Sequence, residues 1–164
     1  MGQQVCSAPC ASSFARRLRE QKERKAMKAA KAALKTRSQW MKEAQQAFNA
    51  FVRLRDQLAG HACISSGRAL DWSGNAVDAG HYRSVGSAPH LRFNEDNCHA
   101  QSKHDNQYKS GNAVDYRIGL IDRIGLERVE ALEADQTPRH NTIDELKQIK
   151  ATYKAKLRAL KEKV

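Results

Sequence analysis

Apolar residues recur along this chain at spacings that change from segment to segment, and the spacings predict its elements. From Gln39 to Leu58, Met41, Ala44, Phe48, Phe51, Val52 and Leu58 return at mostly three- and four-residue steps. That is the period of a helix with one buried face. Thr36 and Ser38 offer N-caps for it, and Gly60 a stop. Before it, Ser13 to Lys35 contains no Gly or Pro, and its apolar positions are mostly Ala. A helix is predicted there, with no face to bury. His61 to Asp71 is turn-like. Ala76 to Val85 reads as a short strand ending near His81, Gly86 to Pro89 as a loop, and Leu91 to Phe93 as a second strand. Asn97 to Tyr108 reads as a turn and a helix start, and Ser110-Gly111-Asn112 as a break. The helical period returns at Val114, Ile118, Ile121 and Ile124, all read as inward, and stops at Gly125. A short helix covers Leu126 to Ala134, and a loop with Pro138 follows. Thr142 and Glu145 form a capping box. The last helix then buries Ile143, Leu146, Ile149, Tyr153, Leu157 and Leu160. The fold class is α+β, mostly helical, with its least helical stretch between residues 61 and 112.

Charge changes the picture. The 164 residues carry a formal charge of +11, which points to a polyanionic partner, either nucleic acid or an anionic membrane surface. The first helix has only two acids, Glu20 and Glu23, which favours phosphate contact over a merely soluble charged helix. Arg16, Arg17, Lys22, Lys25, Lys28, Arg37, Arg83, Arg92 and Lys109 are the expected phosphate contacts. No apolar run approaches the ~20 residues of a spanning helix, and no signal-peptide core precedes the first helix. No membrane role is expected. Cys6 stands where a myristoylation motif wants Ser or Thr. Cys6, Cys10, Cys63 and Cys98 do not resemble a secreted disulfide framework, so a reducing cytoplasm is expected. Cys6 and Cys10 read either as half of a zinc site or as two thiols on a frayed terminus.

The middle of the chain carries the candidate chemistry. Hydrolysis of a phosphodiester needs a base for water, a divalent cation at the scissile phosphate, and a group that holds the base still. A small ββα-metal (HNH) core supplies these with little chain. On that plan His81 is the base at the end of a strand, and Asn97 in the following turn fixes its ring. Asp78, Asn106 and His99 are the candidate metal ligands. The same residues also have plain readings: a surface histidine, a helix cap, a solvent-facing ring. Cys98 reads as a small packed side chain, and Trp40 and Trp72 as core.

RSQWMKEAQQAFNAFVRLRD, CISSG, DAGHYRS, LRFNEDN, SGN and YRIGLIDRIG together resemble the NinG (Rap) family of lambdoid phage recombination endonucleases, from Arg37 to the C-terminus. The core is also similar to phage endonuclease VII. The resemblance implies a magnesium- or manganese-dependent endonuclease that cuts branched double-stranded DNA such as Holliday junctions and D-loops. A homodimer and the host cytoplasm are expected with it. It divides the chain into a basic arm, 1–36, and a nuclease domain, 37–164, with the core at 61–112 and C-terminal helices at 113–164. It further implies an upstream cysteine pair that would complete Cys6 and Cys10, and a four-cysteine knuckle. Here the knuckle positions read Cys63, Ser66, Ser102 and Asp105. Serine is a poor zinc ligand, so no stoichiometric zinc is predicted there. The hairpin would then rely on Ile64, Val77, Leu91 and Phe93. Endonuclease VII has an aspartate just before its base; Gly80 stands here, and Asp78 is the substitute. The competing reading is a non-catalytic DNA-binding recombination accessory protein on a degenerate nuclease scaffold.

Overall fold

The computed structural model describes residues 8–163. They divide into two compact units between Gln39 and Trp40. Cys6 lies outside the described residues, and Cys10 sits in the first turn of α1 (Ala8–Ala33). α1 is solvent-exposed at every residue from Ala15 to Lys31, as expected for a helix whose apolar positions are mostly Ala. Thr36 and Gln39 then start α2 (Arg37–Leu58) with reciprocal bonds. The Thr36 amide donates to Gln39 Oε1 at 2.8 Å, and the Gln39 amide to Thr36 Oγ1 at 3.3 Å. This is a capping box with glutamine in the acid's place.

In the second unit α2 buries Trp40, Ala44, Ala47, Phe48, Phe51, Val52 and, unexpectedly, Asp56. Leu58 was expected to be inward but is exposed; in the last turn it is Asp56 that faces inward. Strand β1 (Val77–His81) pairs antiparallel with β2 (Cys98–Ser102), with Gly80 opposite His99 and His81 opposite Cys98. The second strand is therefore not Leu91–Phe93. Leu91 closes a 3-10 turn, Pro89–Leu91, and is 2% exposed in the core. Cys98–Ser102 contains no β-branched residue, so local propensity does not mark it; pairing with β1 makes it a strand. A single π turn, His104–Tyr108, follows.

Three helices complete the unit: α3 (Ala113–Ile124), α4 (Leu126–Ala134) and α5 (Ile143–Lys161). The expected inward face of α3 holds at Ile121 and Ile124, which pack against a core cluster, and is corrected at its other two positions. Val114 and Ile118 are 75% and 59% exposed, while Tyr116 and Leu120 are fully buried. The helix is turned by the Tyr116 hydroxyl, which donates to the Gly80 carbonyl at 2.8 Å and accepts from the His99 amide at 3.1 Å. The Thr142–Glu145 capping box heads α5, which buries Leu146 and Tyr153; Ile143 is exposed. Two cores result. One joins α2, α5 and the hairpin through Phe48, Phe51, Val52, Ala79, Cys98 and Tyr153. The other joins α3 and α4 to Ile64, Ala88 and Leu91.

Candidate active site

His81 ends β1, and alternation along the strand puts it on the face shared with Ala79 and Cys98. Its ring lies 6.0 Å, centroid to centroid, from that of Phe48. Nε2 is 2.9 Å from the Arg92 carbonyl oxygen. A carbonyl only accepts, so Nε2 carries the proton and Nδ1 is the basic nitrogen. Nδ1 faces the Cys98 thiol at 3.7 Å. Burial, outweighing the Arg92 hydrogen bond, lowers the His81 pKa below its ordinary value. Burial also pushes the Cys98 thiol far up, so it keeps its proton and cannot compete as a charge.

Asn97 is fully buried, and its side-chain hydrogen bonds go to backbone and not to the His81 ring. Its Oδ1 accepts from the Arg83 amide at 2.9 Å, and its Nδ2 donates to the carbonyls of Arg83 and Leu91 at 3.0 and 3.3 Å. It clamps the loop leaving β1, and the Arg92 carbonyl holds the His81 ring. Asn97 thus holds backbone around His81, one step removed from its predicted contact with the ring.

A cavity of about 330 Å³ is lined by Ala79, His81, Tyr82, Ser84, Val85, Asn106, Ser110, Gly111 and Ala113. It brings together His81 and Asn106, 25 residues apart in the chain. Asn106 Nδ2 and Gln107 Nε2 each donate to Asp78 Oδ2 at 2.9 Å, so Asp78 and Asn106 are neighbours. His99 does not line this cavity and is not solvent-facing. It is 4% exposed, with Nδ1 3.1 Å from the Arg55 guanidinium and Nε2 3.1 Å from the Asp96 carbonyl. Both nitrogens are engaged by protein groups, which removes His99 as a metal ligand. Burial and Arg55 lower its pKa to about 4.

The four knuckle positions do converge. Asp105, fully buried, accepts at Oδ2 from the Ser102 hydroxyl at 2.8 Å and the Cys63 thiol at 3.4 Å. Cys63 Sγ accepts the Ser102 amide at 3.2 Å, and Lys109 Nζ lies 3.3 Å from Asp105 Oδ1. Burial alone would raise the Asp105 pKa, but these groups and Ser66 hold it well below the usual carboxylate range. One thiol, two hydroxyls and a carboxylate do not fit tetrahedral zinc. A hydrogen-bonded carboxylate sits where the four-cysteine pattern would put metal.

The predicted phosphate contacts part ways. Arg16, Arg17, Lys22, Lys25 and Lys28 stand exposed on α1, and Arg37 is half-buried. Arg83 is instead an internal tether that donates to the carbonyls of Leu132 and Asp135 at 2.8 and 2.7 Å, near the end of α4. Arg92 donates to Gln45 Oε1 at 3.2 Å, and Lys109 serves Asp105. Among the described residues no group of three or more His, Cys, Asp or Glu side chains is disposed to hold a metal. No helix of the described residues is long and apolar enough to cross a membrane.

Sequence reasoning missed Asp56, Ser110, Gly111 and Gln101. Asp56 Oδ2 takes the Ala100 amide at 2.6 Å, and Oδ1 takes Arg55 Nε at 2.7 Å. Ser110, Gly111 and Asn112 all have positive φ, a strained run that forms one wall of the cavity. The only signal for it was the SGN break itself.

A two-stranded hairpin flanked by helices, with a histidine and an asparagine facing one small cavity, defines a mostly helical α+β protein. The family description "Bacteriophage Lambda NinG protein" matches residues 1–163, and the chain belongs to the NinG family of lambdoid phage proteins. It is 50% identical over 131 residues to "Protein ninG" of Escherichia phage lambda, covering 79% of this chain and 61% of that one. It is 48% identical over 132 residues to "Protein ninG" of Salmonella phage P22, covering 79% and 62%. The chain thus spans about three fifths of the length of these relatives. No solved structure matches it.

Proposed function

We propose that this chain is a metal-dependent endodeoxyribonuclease with an HNH-like core, acting on branched double-stranded DNA. The observation that carries the reading is the shared cavity of His81 and Asn106, with the base pre-oriented by the Arg92 carbonyl. His81 takes a proton at Nδ1 from a water that displaces the weak 3.7 Å contact with the Cys98 thiol, while its Nε2–H stays bonded to that carbonyl. The depressed pKa keeps the ring neutral, and therefore basic, at neutral pH. Asp78 and Asn106 offer oxygen donors, Asn106 having committed its amide nitrogen to Asp78. Such oxygens suit magnesium or manganese. A cation held there would stabilise charge on the scissile phosphate. The exposed basic face of α1 supports phosphate-backbone binding.

The test is a labelled four-way junction incubated with the protein in magnesium, manganese or chelator. Cleavage with either metal and none in chelator is expected. His81→Ala should slow cleavage by at least ~10²-fold, as for loss of a general base, with junction binding retained. Binding without cleavage in any metal would favour the accessory DNA-binding reading.

A further inference from the structure

We propose that Gln101 supplies a third oxygen to the cation site, presenting its side-chain Oε1 in the space that a side chain at position 80 would fill. The inference rests on the nuclease reading above.

Gln101 is fully buried and lies opposite Asp78 in the hairpin register. Its Nε2 donates to Ser65 Oγ at 2.6 Å and to the Gly111 carbonyl at 2.7 Å. Those two bonds fix which end of the amide is which. A flipped amide would set its oxygen against the Gly111 carbonyl, acceptor against acceptor. The oxygen is therefore turned the other way, and it has no hydrogen-bond partner. A buried, orphaned acceptor is costly and calls for an explanation such as an ion.

Gly80 gives the direction. A Cβ built there would fall on Gln101 Oε1, so the amide oxygen already occupies the side-chain space of the residue before the base. Alternation puts Asp78, Gly80 and Gln101 on one face of the hairpin, and Asn106 bonds to Asp78 from the π turn. One carboxylate and two amide oxygens would give a hard, all-oxygen set that a divalent ion would complete with water and substrate phosphate. The scarcity of carboxylates and imidazoles here is then no obstacle, because amide oxygens do part of the work.

The test is Mn2+ titrated alone into the full chain, without DNA, with free Mn2+ counted by electron paramagnetic resonance. The wild type should bind one ion. Gln101→Ala should weaken binding by about tenfold or more, and Gln101→Met, which keeps the side-chain length but removes the hard oxygen, should do the same. Gly80→Asp combined with Gln101→Ala should restore binding by delivering a carboxylate into the same space. Circular dichroism checks that each variant folds. If Gln101→Ala does not fold, Gln101→Met decides. Wild-type binding that no Gln101 variant alters would overturn the role of Gln101 and leave the nuclease reading standing. A wild type that binds no Mn2+ would sink the cation site itself, and this inference with it.

Discussion

His99 and Asp105 are buried groups whose pKa values are pulled down, one by loss of solvent and the other by hydrogen bonds. An unfolded histidine takes its proton near pH 6.5, whereas His99 holds off until about 4. Its contribution to stability is complete above pH 6.5 and falls as pH drops through that window, by up to about 1.4 kcal/mol per pH unit. Urea unfolding at pH 7 and pH 5 should show this loss, and His99→Gln should reduce the difference. An unchanged pH dependence in that variant would contradict the assignment. Asp105 ties Cys63, Ser102 and Lys109 together through its carboxylate. Asp105→Ala should cost about 1.5–3 kcal/mol, the range for hydrogen bonds to a charged group. Chelator should leave the melting temperature of the parent unchanged. A chelator-induced drop in melting temperature would mean that metal, not the carboxylate, staples the hairpin.

At the scale of elements, the approach of α3 to the 61–67 loop is set by Gly119. A Cβ there would overlap the Ile64 carbonyl oxygen, and that carbonyl belongs to backbone that cannot rotate aside. Ile64 also donates its amide to the Ala100 carbonyl at 3.1 Å, fixing the loop to β2. Ala in place of Gly normally favours a helix by about 1 kcal/mol. Gly119→Ala should instead destabilise, by about 1–3 kcal/mol, as in overpacked cores. Thermal or urea unfolding would decide by sign alone, and stabilisation would rule out the close contact.

For the whole molecule the governing quantity is charge. Eight Arg and Lys residues against two Glu residues lie along α1, and no apolar stripe competes for the helix. DNA affinity should fall steeply with salt as counterions are released. Removing residues 1–36 should weaken binding to linear and branched DNA by a similar factor and lower the salt slope. Filter binding or fluorescence anisotropy across a salt series checks both. An affinity flat with salt would defeat the phosphate-contact reading.

What the sequence determined by itself was whatever depends on neighbours along the chain. The five helices, the Thr142–Glu145 cap, the end of β1 at His81 and the exposed character of α1 all follow from period, capping chemistry and composition. Local pattern could not show β2, because Cys98–Ser102 lacks β-branched residues and becomes a strand only by pairing with β1. Nor could it orient α3, whose roll is set by the Tyr116 hydroxyl reaching the hairpin backbone. The site divides in the same way. His81, Asn106 and the four knuckle positions were legible as a spacing. That His99 turns to Arg55, that Arg83 braces α4 and that Gln101 lies over Gly80 were not. Each of those depends on which segments distant in sequence meet in space, and only the tertiary packing decides that.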